Sequence, residues 1–249
     1  MGVVLKTAGL SKSFGGLRAV NNVDFELPAG ELHAIIGPNG AGKTTFFNLI
    51  TGLLTPDAGH VTFHGRDITG MPPHRINRLG LARTLQIKSV FDGLSVYDNV
   101  WIAAHSRSGF LHPLRPAVSY GVTASKVEHL LDRLGLQERR DELAGNLSYG
   151  DVALLEIAIA LATEPKLLLL DEPVAGMSPT ESKNTVRLVK DLSKFVNIIL
   201  IEHDMEVVFD AADVITVMHQ GVILCRGTPD QIAGDERVQE AYLGAPEEA

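Results

Sequence analysis

The stretch Leu32-His33-Ala34-Ile35-Ile36-Gly37-Pro38-Asn39-Gly40-Ala41-Gly42-Lys43-Thr44-Thr45 decides the fold. Leu32 to Ile36 predict a strand, and Gly37, Pro38, Asn39, Gly40, Ala41, Gly42, Lys43 and Thr44 then spell G-x-x-x-x-G-K-S/T in full, directly before the helical Thr45 to Leu49. The glycines let backbone N–H groups approach phosphate oxygens closely, and the helix N-terminus adds a favourable dipole. In such a loop Lys43 reaches the β- and γ-phosphates and Thr44 ligates Mg²⁺, with Thr45 beside it in the nucleotide-binding set. ATP and Mg²⁺ are therefore the expected ligands.

Working outward, Leu167 to Leu170 read as a buried strand that delivers Asp171 and Glu172 at its C-terminal end, where open α/β sheets bind their ligands. Asp171 continues the strand and suits the Mg²⁺ shell, while Glu172 is placed to polarise an attacking water. The alternative is that the pair merely caps the next helix. His203 follows the apolar Asn197 to Ile201 and should emerge at the same sheet edge. Alone, such a histidine reads as structural; beside the phosphate loop and the acidic pair, it reads as a γ-phosphate contact.

The rest of the chain fits an α/β core with additions. Val23, Phe25 and Leu27 alternate with Asp24 and Glu26 before Pro28-Ala29-Gly30, and Val61 and Phe63 alternate between Gly59 and Gly65, so antiparallel strands accompany the phosphate loop. From Gln86 to Leu147 helical spacing takes over in Val127, Leu130, Leu131 and Leu134, with Thr123 or Ser125 as the expected N-cap. Ser106 to Gly121, rich in Gly and Pro, predicts an irregular exposed connection. Strands over Lys166 to Asp171, Asn197 to Glu202 and Asp213 to His219 alternate with helices near Pro179 to Phe195 and Asp204 to Ala212, which implies a parallel sheet. Gln220-Gly221 marks a hairpin, and Glu247-Glu248-Ala249 reads as a solvated tail.

Composition bounds the partners. The 249 residues are 45% hydrophobic and carry a formal net charge of −8, which argues against a surface built to neutralise nucleic-acid phosphates. Cys225 is the only cysteine, so no internal disulfide can form, and Val222-Ile223-Leu224 before it predict a buried structural thiol, compatible with a reducing cytoplasm. Residues 1–10 hold no apolar run of secretory length, and no segment reaches the roughly 20 residues that span a bilayer. The expectation is a cytoplasmic chain that meets a membrane only through partners.

Taken in order, Gly37 to Thr44, Gln86, Leu147-Ser148-Tyr149-Gly150, Leu167 to Glu172 and His203 resemble the motifs of an ABC-type ATPase over nearly the whole chain. The resemblance implies a P-loop fold with a RecA-like parallel-sheet core and an antiparallel β edge subdomain (1–86 and 164–249), plus a helical subdomain (87–163). It implies that Gln86 contacts Mg²⁺ and water and couples the site to membrane subunits. It further implies that Phe14, 23 positions before Gly37, lies against adenine, the alternative being a core phenylalanine. Ser148 and Gly150 would face the ATP of an opposing subunit from a helix N-terminus. The implied partners are membrane permease subunits, a second ABC ATPase and, indirectly, a periplasmic solute-binding protein. The implied location is peripheral, on the inner face of the cell membrane.

Two departures stand out. Asp151 replaces the glutamine of the family's Leu-Ser-Gly-Gly-Gln and brings a negative charge toward a triphosphate, while Tyr149 resembles the variant of branched-chain amino acid importers. In Ala175-Gly176-Met177-Ser178-Pro179, Ser178 stands at the family's usual aspartate position. Arg83-Thr84-Leu85-Gln86 and Leu155-Glu156-Ile157-Ala158 add to the likeness with branched-chain amino acid uptake ATPases. The implied function is the ATP-hydrolysing subunit of an importer for such amino acids or related small solutes. The alternatives are a soluble ABC-type ATPase acting on nucleic acid or ribosomes, and a regulatory nucleotide-binding subunit with little turnover.

Overall fold

In the computed structural model, residues 2–84, 90–106 and 118–243 are described. Along the chain come β1 (Val3–Phe14), β2 (Leu17–Pro28), β3 (Leu32–Ile36), α1 (Lys43–Ile50), β4 (Ala58–Phe63), β5 (Arg66–Asp67), α2 (Pro73–Leu79), β6 (Leu81–Arg83), α3 (Val96–Ser106) and α4 (Val118–Arg133). They are followed by α5 (Tyr149–Ala162), β7 (Leu167–Asp171), α6 (Pro179–Ser193), β8 (Asn197–Ile201), α7 (Met205–Ala211), β9 (Val214–His219), β10 (Val222–Gly227), α8 (Pro229–Ala233) and α9 (Glu236–Leu243).

Four strands in the order β2-β1-β4-β5 form an antiparallel sheet. Six in the order β10-β9-β3-β8-β7-β6 form the second sheet, parallel except for the terminal hairpin strand β10. This is the expected α/β architecture. The strands β3, β7 and β8 lie side by side, so their C-terminal ends bring Gly37, Asp171 and Glu202 to one edge.

Period-two alternation divides the core. Ile35, Leu167, Leu169, Ile199 and Ile201 pack with Phe46 and Phe47 of α1 and with Leu5, Phe25 and Val61 of the antiparallel sheet. Ala34, Ile36, Leu168, Leu170, Ile198 and Leu200 turn the other way, onto helical residues such as Val100, Leu131, Leu155, Val186 and Val208. Because both faces of the parallel sheet are covered, its strands read as unbroken apolar runs. Each such side chain contributes about 1.5–3 kcal/mol by leaving water.

Three expectations need correction. Thr123 and Ser125 do not cap α4; they lie inside it, because the helix already begins at Val118. Its packing through Val127 and Leu131 carries the helix past those local capping signals. The connection expected to be irregular over Ser106 to Gly121 is helical at both ends, in Ser106 and in Val118 to Gly121, and its middle lies outside the described residues. Cys225 is half-buried rather than buried, since β10 is an edge strand. Glu247 to Ala249 lie outside the described residues. Among those described, no helix is long and apolar enough to cross a membrane.

Candidate nucleotide site

The phosphate loop is shaped by its backbone. Gly42, at φ 100°, is the N-cap of α1, and a Cβ there would meet the Ala19 carbonyl oxygen at 2.3 Å. A Cβ on Gly37 would meet the Met218 carbonyl oxygen at 2.1 Å. Glycine is thus required by the close approach of β2 and β9 as well as by room for phosphate. Lys43 is buried, and its ammonium donates to the carbonyls of Gly37 at 2.6 Å and Pro38 at 3.1 Å. Burial lowers its pKa from the ordinary lysine value, against the opposing pull of Glu172 and Asp171.

The two acids at the end of β7 have different surroundings. Asp171 is buried, and its Oδ2 accepts from Arg83 Nη2 at 2.6 Å. Glu172 adopts a left-handed backbone, φ 52°, held by its N–H donating to Ile201 O at 2.9 Å. A non-glycine residue in that region carries strain on the order of 1–3 kcal/mol, of the kind that clusters at functional sites. The turn aims its side chain at His203, whose Nε2 lies 3.1 Å from Glu172 Oε2. Neither acid caps α6, which is capped by Ser178.

A cleft of about 760 Å³ gathers Phe14, Asn39, Gly40, Ala41, Gly42, Lys43, Thr44, Thr45, Glu172 and His203 in one place. Phe14 is 48% exposed on its wall, so it is not a core phenylalanine. Leu17, Arg18, Ala19 and Gln220 also line the cleft, a contribution that no local motif announces. Gln86 lies outside the described residues. Ser148 and Gly150 are not in this cleft. Ser148 is the N-cap of α5, its Oγ accepting from Asp151 N at 3.1 Å and donating to Asp151 Oδ2 at 2.6 Å. Gly150 lines a separate crevice, where an added Cβ would meet Glu181 Oε1 at 3.2 Å.

Ser178, the second departure, has a local explanation. Its side chain accepts from Glu181 N while the Glu181 carboxylate accepts from Ser178 N at 2.8 Å, a complete capping box. Serine caps a helix about as well as aspartate.

Sequence reasoning missed Asn48, the role of Arg83, and Glu202. The Glu202 carboxylate is buried and accepts from Val174 N at 3.2 Å, and burial pushes its pKa up to about 7. The available signal was a charge continuing the apolar run of β8.

Among the described residues no group of three His, Cys, Asp or Glu side chains is placed to hold a metal unaided. Among the described residues, the buried Asp171 Oδ1 meets no hydrogen-bond partner, an orphan acceptor that fits a hard cation.

A phosphate loop at the edge of a parallel sheet, two acids at the end of β7, one strand removed across β8, and a helix opening on Ser148 together define an ATP-binding cassette. The chain belongs to the ABC transporter family, whose profile matches residues 20–175. A second profile, for the branched-chain amino acid ATP-binding cassette transporter, matches residues 222–248. The high-affinity branched-chain amino acid transport ATP-binding protein LivG of Escherichia coli is 41% identical over 249 residues, covering 97% of this chain and 98% of that protein. BraF of Pseudomonas aeruginosa, described in the same words, is 38% identical over 97% of this chain and 98% of its own. The lipopolysaccharide export system ATP-binding protein LptB of Acidithiobacillus ferridurans is 35% identical over 98% of each. A crystal structure of the ADP conformation of an ATP-binding cassette superposes with a TM-score of 0.86 at 31% identity, covering 98% of this chain and 100% of that one. The chain is therefore a nucleotide-binding ATPase of this family.

Proposed function

We propose that this ATPase drives import of branched-chain amino acids or related small solutes, working with membrane permease subunits and a second ABC ATPase on the inner face of the membrane. A periplasmic solute-binding protein would act on it only indirectly. The observation that carries the solute class is the match of residues 222–248 to the branched-chain amino acid cassette. Higher identity to the amino acid relatives than to the lipopolysaccharide exporter, 41% against 35%, supports it.

In this reading Phe14 stacks on adenine, and Gly37 to Thr45 hold the phosphates with Lys43 as their cation. Thr44, Asp171 and Gln86 would hold Mg²⁺, which supplies charge neutralisation when bound. Glu172 takes the proton from the attacking water, and His203, 3.1 Å from it, orients the carboxylate and contacts the γ-phosphate. Ser148 and Gly150 meet the ATP of the second subunit, so the site is completed by assembly. Closure and reopening then form a ligand-driven shift between two states that moves the permease.

Lys43→Ala is expected to abolish ATP binding. Glu172→Gln should keep binding but lower turnover by about a hundredfold or more, trapping the closed dimer; normal turnover by that variant would sink the base assignment. Reconstituted with its permease and binding protein, the chain should hydrolyse ATP faster when leucine is supplied. Stimulation by other solutes but not by leucine, isoleucine or valine would overturn the solute class.

A further inference from the structure

Arg83, the last residue of β6, carries its charge on a nearly covered side chain, and its family-like setting in Arg83-Thr84-Leu85-Gln86 assigns it no role. Its guanidinium acts as a fork: Nη1 donates to Asn48 Oδ1 on α1 at 2.6 Å, and Nη2 donates to Asp171 Oδ2 on β7 at 2.6 Å. Its Cζ lies 5.4 Å from the centre of the Phe47 ring. The elements joined are the helix leaving the phosphate loop, the strand carrying Asp171, and the strand whose sequence continues toward Gln86. Buried ion pairs are costly to desolvate, and apolar replacements are often as stable, so stability alone is a weak reason for this pair.

The two oxygens of Asp171 supply another reason. Oδ2 is taken by Arg83, while Oδ1 is buried and meets no hydrogen-bond partner among the described residues. The fork fixes the rotation of the carboxylate and leaves one oxygen open. Groups that hydrogen-bond a metal ligand from behind orient it and tune its affinity.

We propose that Arg83, braced by Asn48, is a positioning residue that pins one oxygen of Asp171 and keeps the other free for the divalent cation. Lysine cannot replace Arg83, since a single ammonium lacks the planar fork that reaches Asn48 and Asp171 together. The proposal rests on the reading of Asp171 as a cation ligand.

The test is Mn²⁺ binding to the full chain in the presence of ADP, followed by electron paramagnetic resonance, with ADP affinity in chelator measured in parallel. Arg83→Lys and Arg83→Gln should raise the Mn²⁺ concentration for half-saturation roughly tenfold or more, and Asn48→Ala about threefold. ADP affinity in chelator should stay within about twofold for all three, since the metal-free phosphate cradle is untouched. Unchanged Mn²⁺ half-saturation in Arg83→Lys and Asn48→Ala would overturn the proposal. So would tighter Mn²⁺ binding by Arg83→Gln, which would mean that the arginine only neutralises Asp171. If the Arg83 variants fail to fold, Asn48→Ala, which strands no charge, decides. Asp171→Asn separates the premise from the proposal: if it leaves Mn²⁺ binding unchanged, the ligand reading itself fails.

Discussion

Two aspartates near the ends of secondary structure each meet an arginine, and the two pairs behave as opposites. Asp171, at the end of β7, is 1% exposed in its side chain and lies 2.6 Å from an Arg83 that is 8% exposed. Asp151, in the first turn of α5, is 18% exposed and lies 3.4 Å from an Arg139 that is 46% exposed. One pair is locked between three elements; the other is a loose contact at a helix N-terminus, where Arg139 also reaches Glu142. The difference fits what each aspartate is proposed to face. A ligand-holding carboxylate needs a fixed direction, and burial with a forked partner gives it one. A helix N-terminus that meets another subunit, as proposed for α5, must stay accessible, so its charges are less deeply buried and weakly held.

Breaking each pair from the arginine side should expose the contrast most clearly. Arg83→Ala leaves Asp171 buried and uncompensated, and should cost about 3–5 kcal/mol of stability by denaturant titration. Arg139→Ala should cost under about 1 kcal/mol, because its partner is already hydrated. Equal losses would mean that the two pairs are alike in solution and would undo the comparison.

Acidity sharpens it next. Glu202, beside the buried pair's strand, has its pKa raised by burial from 4.5 to about 7, with Glu172 and Asp204 adding negative charge and the N–H groups of Val174 and His203 opposing. The folded chain therefore binds a proton more tightly there than the unfolded chain. This contribution to stability is fully present below pH 4.5 and is lost as the pH rises through about 7. Glu202→Gln should flatten that decline in melting temperature between pH 5 and pH 8 without touching the α5 terminus. A decline of the same slope in the variant would show that Glu202 does not titrate in this window.

The legibility of the two regions differs for the same physical reason. Gly37 to Thr44 declare the phosphate loop because its chemistry is compressed into consecutive residues. The core strands β3, β7 and β8 declare themselves because burial on both faces writes an unbroken apolar run. Glu172 and His203 were legible as strand-end residues, although the left-handed turn that brings them together was not. The Arg83 fork was illegible: it joins side chains 35 and 88 positions apart, and such contacts leave no local pattern. The start of α4 and the half-burial of Cys225 depend likewise on packing and on strand order, neither of which is written locally.

Ser148→Ala and Ser178→Ala compare two helix caps of the same chemistry. Each should cost about 1 kcal/mol, since one side-chain acceptor for a helix N–H is lost. Only Ser148→Ala should also weaken ATP-driven assembly, if Ser148 faces the partner's nucleotide as proposed. Parallel effects on assembly would place both helix termini at the subunit contact.

The smallest effect concerns Asp151 itself. Its Oδ2 accepts a hydrogen bond from the Ser148 hydroxyl at 2.6 Å, and its N–H donates to the same Oγ at 3.1 Å, so the hydroxyl is committed within its own turn. A triphosphate arriving there would meet an occupied donor and a carboxylate that Arg139, at 3.4 Å, only partly offsets. Asp151→Gln removes the charge while keeping the backbone N–H and a side-chain acceptor. ATP-driven assembly should then tighten by about two- to fivefold at low ionic strength, and the gain should shrink as salt screens the partly exposed charge. Because Ser148 and Arg139 already engage the carboxylate, the gain stays small. An unchanged assembly constant would mean that these two partners hold the acid clear of the nucleotide altogether, which would make the loose pair as effective at directing a carboxylate as the buried one.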